Sequence, residues 1–535
     1  MRQVEISGYP MGGMTTHAAA VPAPAPVALG LAPLTAADVL AVARYGAPVT
    51  LAGAALDAMA AARQRVDELA AAETPAYGIS TGFGAMATRH IPPCSRDQLQ
   101  RSLIRSHAAG SGPEVEREVV RALMLLRLRT LASGRTGARP VTAQALAGLL
   151  NAGITPVVRE YGSLGCSGDL APLAHVGLAL MGEGDVRDAA GTLRPAAEAL
   201  HTAGLAPVTL AAKEGLALIN GTEGMLGMLL LACADLRRLV RTADLAAAMS
   251  VEALLGTDRA FAADLQELRP HPGQAASAAN LRALLAGSAI MGSHRGPDCD
   301  RVQDAYSLRC APQVAGAVRD TLAHAETVAA RELAASIDNP VVLPDGRVES
   351  NGNFHGAPVG YVLDFLAIAV ADLASMSERR TDRMLDPARS NGLPPFLAAD
   401  PGVDSGHMIA QYTQAAVVAE LKRLAAPASV DSIPSSAMQE DHVSLGWSAG
   451  RKLRRSLDGL ARVLAVEVLT AARALDLRAP LRPAPGTAAA VAALRAEVPG
   501  PGPDRYLAPE IEAAVALVMA GDLLAAAETA AGALR

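Results

Sequence analysis

Apolar residues recur at helical spacing along most of this chain, and the polar stretches between them are short. Thr35-Ala-Ala-Asp38 reads as an N-cap with an acid in the first turn, and Gly46 as the stop. A second helix is predicted over Ala54–Ala72. Residues 74–98 lose the period, which returns near Arg101 and continues through Val115–Ala132 and Thr142–Asn151. From Ala211 the pattern is almost continuous. Its long segments are Glu214–Leu255, Pro312–Ser336, Pro358–Leu385, Gly406–Leu424 and Val443–Leu477.

Several of these exceed 25 residues, and some are apolar on every face. An all-α fold follows, a large bundle of long helices with some buried all round. Helices of this length are suited to sharing between subunits, so an oligomer is expected. Four segments are read: a flexible extension over residues 1–30, a loop-rich N-terminal region over 31–210, the long-helix bundle over 211–480 and a C-terminal helical segment over 481–535. Pro499–Asp504 is a loop inside the last of these.

Composition narrows the class. Hydrophobic residues make up 51% of 535 residues and aromatics only 3%, so Ala, Leu and Val do the packing. That favours close helix packing over a β-sandwich. The net charge of −6, with no long basic run, argues against nucleic acid as a partner. Prolines interrupt the apolar N-terminus, unlike a secretory leader. Met225–Ala234 is too short to span a bilayer, and Asp364 and Asp372 interrupt Val359–Met376, so both read as buried helices of a soluble protein. The cysteines, Cys94, Cys166, Cys233, Cys299 and Cys310, are scattered without metal-ligand spacing. Neither a disulfide framework nor a metal site is indicated, and a reducing cytoplasm is the default.

The informative places are the interruptions: "YGISTGFG" (77–84), "GSLGCSGDLAPLAH" (162–175), "LINGTEG" (218–224), "VQDAYSLRC" (302–310), "SNGNFHG" (350–356) and "MQEDHVS" (438–444). Polar islands in a bundle of this kind point to convergence on a site, since buried polar groups need partners. At the centre of the second lies Cys166-Ser167-Gly168. It reads as a turn, as a nucleophile, or as a third chemistry. The Gly-x-Ser-x-Gly elbow and the phosphate-binding P-loop pattern are both missing. In the third reading the Gly168 nitrogen attacks the Cys166 carbonyl carbon. Closure of a five-membered ring and loss of the Ser167 hydroxyl leave an exocyclic methylene, a backbone electrophile. Glycine at 168 permits the compressed approach.

Taken in order, these islands resemble the signature of the aromatic amino acid ammonia-lyases, whose Ala-Ser-Gly forms 4-methylidene-imidazole-5-one (MIO). The likeness runs from about Thr35 to Arg478. Two residues favour the histidine-using branch: His107 in "SHAAG" and Glu440 in "QEDHVS". The resemblance implies a fumarase/aspartase-like helical bundle, a homotetramer with sites shared between subunits, and conversion of L-histidine to trans-urocanate and ammonia. It implies MIO formed from Cys166, Ser167 and Gly168, with Tyr77 as the base for the β-proton and Tyr306 also in catalysis. Arg309 would bind the substrate carboxylate, and Asn220 and Gln303 would hold that carboxylate or the MIO oxygen. His107 and Glu440 would grip the imidazole, Glu440 also acting in catalysis by accepting the ring N–H or protonating the ring, with Phe354 packing against a ring.

Asp304, His175 and His442 are expected to be structural. Two departures stand out: Cys166 where the family has Ala, and Ser80 where Asn is commoner. A phenylalanine or tyrosine lyase, or an aminomutase of the same family, is the nearest alternative. A non-catalytic scaffold with the same bundle is the alternative from another class.

Overall fold

The computed structural model describes residues 24–166, 168–296 and 302–535. Helices dominate it. The first runs over Ala36–Ala43 and carries the predicted cap: the Thr35 hydroxyl accepts from the Asp38 N–H, and the Asp38 carboxylate accepts from the Thr35 N–H. Gly46 follows the helix at φ +73°, where glycine carries no Cβ penalty.

Three long helices form the centre: Glu223–Ala253, Ala357–Leu385 and Gly446–Asp476. They pack on one another, and the first two also on Ala311–Leu333. Of the 31 residues of Glu223–Ala253, 27 are buried, so this helix is apolar nearly all round because neighbours surround it. Two stretches, Glu214–Ala253 and Ala357–Leu385, are long and apolar enough to cross a membrane. The most apolar window of the first is wholly buried inside the bundle, and 61% of the second is. Asp364 lies 3% exposed, paired with Lys452 at 2.6 Å and accepting from the Ser429 N–H. Of the two interrupting acids, Asp364 thus sits in the protein interior and Asp372 on the exposed face of the helix.

One hydrophobic core runs from Val27 to Leu534 and joins all the segments. Three C-terminal helices, Pro485–Glu497, Ala508–Ala520 and Asp522–Ala531, close over its far side, with residues 499–504 in the expected loop.

Two expectations need correction. The extension expected over residues 1–30 lies mostly outside the described residues, but its last part is structured. Val27–Leu29 is a strand paired in parallel with Val49–Leu51, and Val27 and Leu29 are buried. Three more small sheets occur, each of two or three short strands, in the loop-rich half and at 341–349. The second correction concerns Glu214–Leu255. It is not one helix: Glu214–Ile219 ends, Asn220-Gly221-Thr222 breaks the period, and Glu223–Ala253 begins again.

Candidate active site

That break is where the site is built. Gly168, at φ +78°, lies against Gly221 so closely that a Cβ on Gly168 would be 2.0 Å from the Gly221 oxygen. The next residue, Asp169, donates its N–H to the same oxygen at 2.6 Å. Its buried carboxylate accepts from the N–H groups of Gly224 and Met225 at 2.8 and 3.0 Å and from the Ser163 hydroxyl at 2.9 Å. Asp169 therefore caps the new helix from a distant loop, satisfying N–H groups that a helix start leaves open. Burial drives its carboxyl up to about 7 despite these bonds.

Below the break lies a buried charged layer. Arg127, fully buried, pairs with Glu223 at 2.5 Å and donates to the carbonyls of Ala217, Asn220 and Ile337. Its guanidinium thus satisfies the carbonyls that the ended helix leaves without partners. Lys213 and Asp338, both fully buried, pair at 2.5 Å.

Four loops meet above this layer. Gly165 sits at φ +74° with Ser444 and Gly446 against it. Its carbonyl accepts from the Ser444 hydroxyl at 2.5 Å and from the Gly356 N–H at 3.0 Å, and the Leu445 N–H donates to Leu164. The His355 and His442 rings stack 5.5 Å apart, bringing the Phe354 loop to the Glu440 loop. Phe354 itself is half-buried. On the remaining side the Tyr77 loop touches the same segment, since a Cβ on Gly84 would lie 2.7 Å from the Ser436 hydroxyl. The Tyr77 hydroxyl accepts from the Gly84 N–H at 3.4 Å. Ser80, the departure from Asn, is fully buried and accepts from the Ala76 N–H, so it still ties this loop.

Glu440 is the electrostatic neighbour common to His107 and Cys166. Burial lowers the His107 pKa while the Leu103 carbonyl and Glu440 oppose the change. Burial pushes the Cys166 thiol up to about 11, and Glu440 adds to it. Glu440 is held by the Ser435 hydroxyl at 2.8 Å. His107 Nδ1 bonds the Leu103 carbonyl, and His175 accepts from the Gly110 N–H, a loop-tying role. Asn220 donates from Nδ2 to the Asn339 carbonyl at 3.1 Å, while its buried Oδ1 has no partner among the described residues. The expected donor is thus engaged, and an acceptor is left over.

The structure brings together Tyr77, His107, Cys166, Gly168, Asn220, Phe354 and Glu440. Ser167 lies outside the described residues. Gln303, Tyr306 and Arg309 are elsewhere. They sit beyond the opposite end of Glu223–Ala253, where the Asp304 carboxylate accepts from the Thr257 N–H and Gln303 shares a cavity with Gly256 and Arg309. A 31-residue helix is about 45 Å long, which sets the separation within one chain. Tyr306 is 71% exposed there, with the Arg309 guanidinium 4.7 Å over its ring, and Arg309 makes no ion pair among the described residues.

A family profile described as aromatic amino acid lyase matches residues 34–496. The chain belongs to this family. It is 68% identical over 510 residues to the histidine ammonia-lyase of Streptomyces coelicolor, covering 95% of this chain and 99% of that one. Among solved structures it resembles tyrosine aminomutase from Streptomyces globisporus, with a TM-score of 0.89, 38% identity and coverage of 95% and 100%. It equally resembles histidine ammonia-lyase from Trypanosoma cruzi, with a TM-score of 0.86, 38% identity and coverage of 94% and 95%. Membership accounts for the all-α bundle and for the ordered islands.

The residues at the tripeptide fit the family's backbone-derived group. Only glycine fits at 168, and the Asn220 Oδ1, without a partner among the described residues, lies in the residue just before Gly221. Ser163, Ser435, Ser444 and the Arg127–Glu223 pair were not legible as site residues. The three serines lie in or beside the polar islands, and a small hydroxyl next to an invading glycine is the signal that could have found them.

Proposed function

We propose that the chain eliminates ammonia from L-histidine to give trans-urocanate, using MIO formed from Cys166, Ser167 and Gly168. The observation that carries this reading is the charge of Glu440 acting on both His107 and Cys166. An imidazole bound there meets a hydrogen-bond acceptor at one nitrogen and a neutral His107 beside it. The similarity to the histidine ammonia-lyases supports the same substrate.

Cys166, Ser167 and Gly168 would hold MIO, which would supply an electrophile for the substrate amine and so make it a better leaving group. The chain's own residues do the rest. Glu440 and His107 orient the imidazole, and Phe354 packs beside it. Tyr77, anchored at its hydroxyl by Gly84, takes the β-proton. Asn220 Oδ1 offers an acceptor to the departing amine. Arg309 and Gln303 bind the substrate carboxylate, and Tyr306 stands with them. Because these three lie a helix length away, they serve the site of another copy. The reading is therefore a homotetramer with shared sites. Its support is the exposed apolar stripe Tyr361, Phe365 and Ile368 on one long helix, with Ile409 and Tyr412 on its neighbour. It is a cytoplasmic enzyme in this reading, with the thiols of Cys94, Cys166, Cys233 and Cys310 unpaired among the described residues.

The test is product formation. Urocanate, followed by its ultraviolet absorbance, is expected with L-histidine and at most weakly with L-phenylalanine. Likeness to the tyrosine aminomutases favours one second reading, an amino shift on tyrosine. A β-amino acid from tyrosine with no urocanate from histidine would overturn the first reading and support the second.

A further inference from the structure

We propose that Ser444 is a positioning residue that fixes the peptide unit entering the tripeptide, and so sets how readily Cys166-Ser167-Gly168 closes its ring. The inference rests on the cyclisation reading above. Its starting point is a carbonyl bound twice. The Gly165 oxygen accepts from the Ser444 hydroxyl at 2.5 Å and from the Gly356 N–H at 3.0 Å. It is the last carbonyl before the tripeptide, and the next carbonyl carbon along the chain is the one that the Gly168 nitrogen must reach.

Ser444 is 2% exposed, and its oxygen accepts from the Gly446 N–H at 3.3 Å. That bond occupies the hydroxyl's acceptor side and leaves its proton for Gly165. On the other side of the tripeptide, Asp169 is tied to Gly221 through its N–H and to Gly224, Met225 and Ser163 through its carboxylate. Cys166 and Gly168 are thus each joined to a fixed peptide unit. Fixing both ends shortens the conformational search for the attack, an intramolecular reaction in which orientation counts for much of the barrier.

The chemistry balances without a co-reactant. The Gly168 nitrogen bonds to the Cys166 carbonyl carbon, and that oxygen leaves as water with the amide protons of Ser167 and Gly168. The Ser167 hydroxyl leaves as a second water with the Ser167 α-proton. Ser444 also lies four residues beyond Glu440, so one segment aims the tripeptide and the imidazole-facing acid together.

Packing at the same place offers a control. Met225 fills the space between Gly165, Gly356 and Gly446: added Cβ atoms there would lie 3.2, 2.4 and 2.4 Å from its Sδ or Cε. Met225→Leu disturbs that socket and leaves every hydrogen bond to Gly165.

The full-length chain is made by cell-free synthesis, and the mass of the peptide spanning Cys166–Gly168 is followed in time, alongside thermal unfolding. The wild-type peptide is expected to lose two waters. In Ser444→Ala the loss is expected about tenfold more slowly, the effect of one buried hydrogen bond on the approach. Ser444→Thr, which keeps the hydroxyl, is expected to restore the rate, and Met225→Leu to mature at the wild-type rate even where its Tm falls. Should Ser444→Ala not fold, Ser444→Cys, a weaker donor of similar size, decides on the same terms. Wild-type rates in Ser444→Ala, or slowing in Met225→Leu that matches it, would overturn the role of Ser444. A wild-type peptide that keeps both waters would instead overturn the cyclisation reading on which it rests.

Discussion

Asp169 and His407 are buried titratable residues whose pKa values move in ways that act oppositely on stability. Burial raises the Asp169 carboxyl to about 7. An unfolded chain releases that proton near pH ~4. Between these values the folded protein holds a proton that the unfolded chain has lost, so Asp169 makes stability fall as pH rises through this window. His407 is 2% exposed beside Thr470, and burial lowers its pKa to about 3, with the Arg473, Arg495 and Arg505 charges helping. The unfolded chain takes up that proton near pH ~6.5, so His407 makes stability fall as pH drops. The two slopes oppose each other between about pH 4 and 6.5. Relative to wild type, Asp169→Asn is therefore expected to lose stability more steeply on acidification. His407→Asn is expected to lose it less steeply, each by up to ~1.4 kcal/mol per pH unit. Urea unfolding midpoints across this range measure both. At this scale the candidates that the structure groups were readable one by one: Tyr77, Asn220 and Glu440 sit in polar islands, and His107 stands in "SHAAG". Ser444 and Arg127 were not readable. A serine and an arginine gain their meaning here from which carbonyl they reach, and that is a tertiary fact.

At the scale of elements, the decisive feature is the break at Asn220-Gly221-Thr222. Sequence periodicity runs straight through it, because leucines and isoleucine before it and methionine and leucines after it keep the helical spacing. What ends the helix is Gly168 and Asp169 arriving from another loop and Arg127 binding the freed carbonyls. Local pattern could not carry that information, just as it missed Val27–Leu29, whose partner strand lies about twenty residues on. The break is also intolerant. A Cβ on Gly221 would lie 1.6 Å from the Arg127 guanidinium and 2.1 Å from the Glu223 carboxylate. Gly221→Ala must therefore push apart a buried ion pair, and is expected to cost about 3 kcal/mol or more. Arg127→Met, which leaves Glu223 buried without its cation, is expected to cost roughly 3–5 kcal/mol. Thermal unfolding measures each. Both should also prevent dehydration of the Cys166–Gly168 peptide, since Gly221 is the surface against which Gly168 is held. A destabilised variant that still matures fully would place the break outside the site's machinery.

For the whole molecule, the question is how one chain presents the parts of a site at both ends of its longest helices. Tyr77, His107, Asn220 and Glu440 converge at the start of Glu223–Ala253, and Gln303, Tyr306 and Arg309 lie past its end. No bending of a buried helix of 31 residues brings these ends together, because 27 of its side chains are locked in the core. In the proposed assembly, antiparallel packing of a second copy would do so: its helix end would lie beside the first copy's helix start, with the exposed stripe at Tyr361, Phe365 and Ile368 as the apolar surface for that contact. The arrangement makes a prediction that self-contained sites do not. Glu440→Ala and Arg309→Ala are each expected to lower kcat/KM at least about a hundredfold, a loss of ~2.7 kcal/mol or more in transition-state binding. Unfolded together and refolded as a mixture, the two inactive chains should regain activity. Some sites then receive Glu440 from one chain and Arg309 from the other, and both groups in those sites are wild type. Random assembly into sites drawn from two chains leaves about a quarter of them intact, so recovery towards a quarter of the wild-type rate is expected. If each chain held a complete site, no mixture of these variants could contain an intact one. Activity that stays at the level of the separate variants would then assign Gln303, Tyr306 and Arg309 to some other task.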